Sequence, residues 1–228
     1  MEIIYEDNAI VVVNKPQNVP SQEDSSKDKD MLTMVKEYVK EKYNKPGNVF
    51  IGLVHRLDRP TGGVMVFARN SKSASRLSEQ IRNGDLEKTY FVVTKGVPNI
   101  PHTRLVTYLK KDEKNNIVRI VPMSEDGAKR AELEYTVLEK VDGYALLKVN
   151  LFTGRGHQIR AQLSSIKCPI VGDQKYDTNA EKTNLHLCAV ELKLNHPTSG
   201  ERMVFKVYPP EDKGMWSKFH LEKYLNLK

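Results

Sequence analysis

Residues 132–152, ELEYTVLEKVDGYALLKVNLF, set two runs rich in β-branched and aromatic side chains around Asp142-Gly143. Asp-Gly between two such runs is the signature of a tight hairpin, because both turn positions need a positive φ. Glu132–Val141 and Tyr144–Phe152 are therefore predicted as paired strands. Working outward, Leu105–Leu109 and Ile117–Pro122 form a second hairpin across a charged turn. Ile3–Tyr5 and Ile10–Val13, broken by Glu6-Asp7-Asn8, form another. Val49–Leu57, Val64–Ala68, Thr89–Lys95, Leu185–Leu194 and Arg202–Tyr208 complete the predicted strands.

Helical signals are fewer. Asp30 is placed to cap a helix from Met31 to about Tyr43, with Leu32, Val35 and Val39 on one face. Asn70 or Ser71 caps a second, which carries Ala74, Leu77 and Ile81 and ends at Asn83-Gly84. A third starts near Gly156, carries Ile159, Leu163 and Ile166, and is stopped by Pro169. A C-terminal helix holds Trp216, Phe219 and Leu221. Strands outnumber helices and their connections are hairpin-like. That predicts an α+β fold with a largely antiparallel sheet rather than a doubly wound parallel one. With no repeat, low-complexity tract or long linker, residues 1–228 are read as a single domain.

Composition excludes several classes. The 228 residues suffice for a core without disulfide or metal staples. Two cysteines, Cys168 and Cys188, without C-x-x-C spacing argue against a disulfide framework and a thiolate zinc site. No apolar run approaches the ~18 residues of a membrane span. The acidic start, Glu2 to Asp7, is not a signal peptide, so a reducing cytoplasm is expected. There is no G-x-G-x-x-G, no G-K-[ST], no H-E-x-x-H and no G-x-S-x-G. The net charge of +7 is concentrated: residues 52–95 carry +4, residues 103–130 carry +3 and residues 151–175 carry +3. Such blocks suit a polyanion, or simply a solvated basic surface.

Three stretches carry candidate chemistry. In His55-Arg56-Leu57-Asp58-Arg59-Pro60-Thr61-Gly62-Gly63 a carboxylate lies between two arginines at a Pro/Gly turn. An arginine within ~4–6 Å would keep such an acid ionised, fit to act as nucleophile or base. The alternative is a surface acid capping a turn. In Glu87-Lys88-Thr89-Tyr90, Tyr90 is either a flat surface for a nucleobase or an ordinary strand tyrosine. In Thr153-Gly154-Arg155-Gly156-His157-Gln158-Ile159-Arg160, a polar loop leads into a helix bearing Arg160, either a site cation or a solvated one.

Together these stretches resemble the RluA-type RNA pseudouridine synthase family. His-Arg-Leu-Asp-Arg-x-Thr at 55–61 resembles its catalytic motif, and Lys88-x-Tyr90 its second. Gly154-Arg155-x-His157-Gln158-Ile159-Arg160, then Pro169-Ile170-Val171-Gly172-Asp173 and Tyr176, resemble its third. Tyr5-Glu6-Asp7 and Asn14-Lys15-Pro16 resemble the start of its catalytic domain. Gly62-Gly63 stands where Ser-Gly is commoner, Gly156 and Ala161 replace larger residues, and Asp177 stands where Gly is usual. On this resemblance the catalytic domain starts at residue 1, without a small S4-like RNA-binding domain.

The resemblance implies a mixed, mostly antiparallel central sheet of two fused halves, with flanking helices and a central cleft. It implies isomerisation of uridine in structured ribosomal or transfer RNA to pseudouridine, with the target base flipped out. No metal or redox cofactor, no membrane and a monomeric chain are expected. Asp58 is the implied catalyst, Arg160 its partner, and Tyr90 the packing surface for uracil. Arg56 would fill the gap in the RNA stack, with His55, Arg59 and His157 also at the substrate and Leu163 walling the pocket. The basic blocks would supply phosphate contacts.

Overall fold

A computed structural model describes residues 1–210 and 214–226. In chain order its elements are β1 (Glu2–Glu6), β2 (Ile10–Lys15), α1 (Met31–Lys42), β3 (Gly52–Leu53), β4 (Gly62–Ala68), α2 (Ser71–Asn83), β5 (Glu87–Lys95), β6 (His102–Asp112), β7 (Ile117–Val121), β8 (Lys129–Val141), β9 (Tyr144–Leu151), α3 (Gln158–Ser165), β10 (Leu187–Asn195) and β11 (Arg202–Lys206). Its packing divides into two compact units: Met1–Glu87 with Ala189–Val207, and Lys88–Cys188 with Tyr208–Lys228.

In the first unit the strand order is β1-β2-β4-β10, with β3 beside β4 and β11 beside β10. The pairings β1–β2, β2–β4, β3–β4 and β10–β11 are antiparallel. Ile10–Val13 and all seven residues of β4 are buried, so β4 and the first four residues of β2 are apolar without alternation. Val35 and Val39 of α1 and Leu77 of α2 are buried on the predicted faces, whereas Met31 is buried where Leu32 was expected and Leu32, Ala74 and Ile81 are half-buried. Asp30 caps α1 by accepting from Thr33 N at 3.1 Å, and Asn70 caps α2 by accepting from Ser73 N at 2.8 Å.

In the second unit the order is β5-β9-β8-β6-β7, every neighbour antiparallel. Asp142 (φ 49°) and Gly143 (φ 82°) make the expected hairpin turn between Val141 and Tyr144. One side of the α3 packing is a buried cluster of Leu109, Val118, Ala131 and Ala161, with Tyr176 against it.

Two predicted elements differ. The strand over Val49–Leu57 shrinks to Gly52–Leu53. Side chains take the place of its ladder: Val66 N donates to His55 Nε2, and Ser21 Oγ holds both polar groups of the Leu57 backbone. The C-terminal helix is two short 3₁₀ turns, Gly214–Lys218 and Leu221–Lys223. Trp216 and Phe219 are three apart, and Phe219 N donates to Trp216 O at 3.1 Å, the tighter winding. Both cysteines are buried and neither is in a disulfide. No helix among the described residues is long and apolar enough to cross a membrane.

Candidate active site

In the first unit, Asp58-Arg59-Pro60-Thr61 is a β-turn closed by Thr61 N donating to Asp58 O at 2.9 Å. Lys15, 1% exposed, reaches this turn from the end of β2. Its ammonium donates to Thr61 O at 2.6 Å, Pro16 O at 3.0 Å and Arg59 O at 3.1 Å. Three carbonyl dipoles thus replace the water that a buried ammonium loses. On the other flank, Ser21 Oγ donates to Leu57 O at 2.7 Å and accepts from Leu57 N at 3.1 Å. The Asp58 backbone is held from both sides, and its partly buried side chain leaves from a rigid turn. Gly63 follows at φ 121°, where a Cβ would stand 2.2 Å from Ala189 O, so that position excludes any side chain.

The arginines around Asp58 do not both turn to it. Arg59 reaches the polar loop before α1, donating to Ser26 Oγ at 2.8 Å and pairing with Asp24 and Asp28. It anchors that loop while its side chain stays 38% exposed. Arg56 is exposed and has no hydrogen-bond or ion-pair partner among the described residues. His55 Nε2 is spent on Val66 N at 3.0 Å, which fixes the ring against β4.

In the second unit, Tyr90 lies on β5 opposite Val149 and is 5% exposed. Arg160, 4% exposed on α3, makes a bidentate pair with Asp173. Nε donates to Oδ2 at 2.8 Å and Nη2 to Oδ1 at 2.7 Å. Asp173 is wholly buried and also accepts from Lys175 N at 3.0 Å and Tyr176 N at 3.2 Å. The planar guanidinium is therefore fixed in direction as well as charge. The Tyr176 ring lies 5.2 Å from the guanidinium carbon. Its hydroxyl accepts from Val118 N at 2.7 Å and contacts His157 Nδ1 at 3.0 Å. His157 caps α3 at φ 51° with its ring edge-on to Tyr176, so that nitrogen serves the fold. Leu163 has no exposed surface and packs inside the unit. Gly172, at φ 79°, admits no side chain either: a Cβ would lie 2.3 Å from Asn184 O.

The residues that sequence reasoning left without a role are Lys15, Ser21 and Asp173. Two had a signal. Lys15 is a charge at the end of a strand that opens with four apolar residues, and Asp173 is an acid after an apolar Pro-Ile-Val-Gly run. Ser21, in a polar loop, had none.

The basic block 103–130 is less available than its charge count suggests. Arg104 and Arg130 both lie on buried Glu132, Arg119 lies on Asp112, Lys110 on Glu125 and Lys111 on Glu113. The Lys110–Glu125 and Lys111–Glu113 pairs are exposed on both sides, and exposed pairs are worth only ~0–1 kcal/mol.

The sequence profile of the RNA pseudouridylate synthase family matches residues 9–165. An uncharacterized RNA pseudouridine synthase of Aquifex aeolicus is 35% identical over 92% of this chain and 70% of its own length. The ribosomal large subunit pseudouridine synthase D of Borreliella burgdorferi is 29% identical over 99% of this chain and 70% of its own. The tRNA pseudouridine synthase C of Vibrio cholerae is 30% identical over 90% of both. Human RNA pseudouridylate synthase domain containing 4 shares the fold, with a TM-score of 0.77, 24% identity and coverage of 92% of this chain and 89% of its own. The chain belongs to the RNA pseudouridylate synthase family, and its activity is the isomerisation of uridine in RNA to pseudouridine.

Proposed function

We propose that Asp58 is the catalytic carboxylate and that residues 1–228 act as one catalytic domain on a flipped-out uridine. The reaction breaks the N1–C1′ bond, turns the uracil, joins C5 to C1′ and moves the C5 proton to N1. Atoms balance without an added oxidant, reductant or hydrolytic water. The observation that carries the assignment is the turn itself. Buried Lys15 and Ser21 immobilise the peptide groups on both sides of Asp58, as a reacting group needs. A solvated turn cap needs no such support.

Tyr90 supplies a flat packing surface for uracil, and Arg160 is the cation of the reaction, aimed by Asp173. Arg56, exposed and unpaired, suits insertion into the space that the flipped base vacates. His55, His157 and Leu163 support the reaction by packing and positioning. The substrate is a structured RNA. The names of the Borreliella and Vibrio relatives support ribosomal and transfer RNA equally. We further place the chain as a monomer in the cytoplasm.

The test is Asp58→Asn, which keeps shape and removes charge. Conversion of uridine to pseudouridine in unmodified ribosomal and transfer RNA should be lost, while melting temperature and most RNA affinity persist. Activity within tenfold of wild type would remove Asp58 from its role. A wild-type protein that binds these RNAs and converts no uridine would instead indicate a non-catalytic RNA-binding member of the fold.

A further inference from the structure

Lys88 has no role in the reading above, yet its setting is unusual for a lysine. It sits at the start of β5, two residues before Tyr90, so both side chains leave the same face of the strand. It is partly buried, and its Nζ lies 3.5 Å from where a Cβ on Gly154 would stand. That places the ammonium against the polar loop leading into α3. Among the described residues it has no hydrogen-bond or ion-pair partner. Two fully buried cations are satisfied by contrast, Lys15 by three carbonyls and Arg160 by Asp173.

Withdrawing an ammonium from water without a counter-charge is unfavourable. Burial accordingly pulls its pKa below the ordinary lysine value. A position that carries this cost in the free protein is suited to an anion that arrives with the substrate. The anion that every RNA segment brings is its backbone phosphate, and a point-charge ammonium with three donors suits a phosphate oxygen. Gly154 assists by leaving the flank of the ammonium without a side chain.

We propose that Lys88 is an RNA-phosphate ligand, binding the backbone next to the nucleotide whose base packs on Tyr90. This rests on the functional reading above for Tyr90, and it adds a contact that the basic blocks alone do not define.

The experiment compares wild type, Lys88→Met and Lys88→Arg. Binding to poly(U) and to unmodified transfer RNA is measured over a series of salt concentrations, beside melting temperature without RNA and single-turnover pseudouridine formation at saturating RNA. Each phosphate contact contributes about 0.7 to the slope of log affinity against log salt for single strands. Lys88→Met should bind several-fold more weakly, with the poly(U) slope shallower by about 0.7, and its melting temperature should hold or rise. Lys88→Arg should restore the slope. An unchanged slope in Lys88→Met overturns the proposal, whether the variant is otherwise normal, melts earlier as a packing residue would, or only turns over more slowly as a base contact would. Failure of the wild type to make pseudouridine would count against the functional reading, while the salt comparison still decides the role of Lys88.

Discussion

Arg160 and Asp173 are locked in a two-point ion pair inside the second unit, with Nε and Nη2 on the two carboxylate oxygens at 2.8 and 2.7 Å. The acid side chain is 0% exposed and the arginine 5%, so neither has water to fall back on. Removing one partner of such a pair typically costs ~3–5 kcal/mol. Asp173→Asn should therefore lower stability by that order and slow pseudouridine formation more than it weakens RNA binding. Arg160→Met should cost similar stability. The double variant should be less destabilised than the sum of the two, because no lone buried charge remains. Urea unfolding of the four proteins measures this. Simple additivity would show that the two residues act separately.

Lys15 offers a second test, because its contacts are to the backbone of the Asp58 turn. Lys15→Met keeps much of the stem and leaves the Thr61, Arg59 and Pro16 carbonyls without their donor. Hydrogen bonds to charged groups are worth ~1.5–3 kcal/mol, so a clear loss of stability is expected. Beyond that, a loosened turn should cut the single-turnover rate at saturating RNA at a temperature where the variant is fully folded. A variant that is destabilised yet reacts at the wild-type rate would limit Lys15 to folding.

Tyr90 separates stacking from proton transfer. Tyr90→Phe keeps the ring, so RNA affinity should hold while any contribution of the hydroxyl is lost from the rate. Tyr90→Ala removes the surface, and base–aromatic stacking is worth ~1–3 kcal/mol in single-strand binders. Its RNA affinity should drop accordingly. Normal binding and turnover by Tyr90→Ala would show that the base is held elsewhere.

His186 gives the stability a pH dependence. The ring is 2% exposed, stacks near Trp216, and accepts from Met215 N at 2.8 Å, so the folded protein holds it neutral. Burial lowers its pKa from the ordinary 6.5. Between that folded value and 6.5 the unfolded chain takes up a proton that the folded chain does not. The stabilisation is full above 6.5 and is lost as pH falls through that window. Melting temperature should fall on acidification from about pH 7 to 5, and His186→Gln should flatten that part of the profile. An equal slope in both proteins would assign the acid sensitivity to the carboxylates, of which Glu6, Asp7 and Glu139 are held below their ordinary pKa values.

The sequence alone determined what depends on neighbours along the chain. Asp142-Gly143 dictated its hairpin because only those backbone angles join two twisted strands in two residues. Asp30 and Asn70 announced α1 and α2 because a cap acts within three residues of itself. The family was legible because three short patterns, carrying Asp58, Tyr90 and Arg160, stand in a fixed order. Tertiary structure alone decided where the charges went. Arg59, adjacent to Asp58 in the chain, turns to Asp24 and Asp28, more than thirty residues away. Lys15 supports a turn 46 residues downstream. Val49–Leu57 has strand composition, yet most of it is not strand, because Ser21 and His55 occupy groups that a ladder would use. An ion pair or a side chain-to-backbone bond is settled by which group lies nearest once water is excluded. That proximity belongs to the folded chain and leaves no periodic trace in the order of its residues.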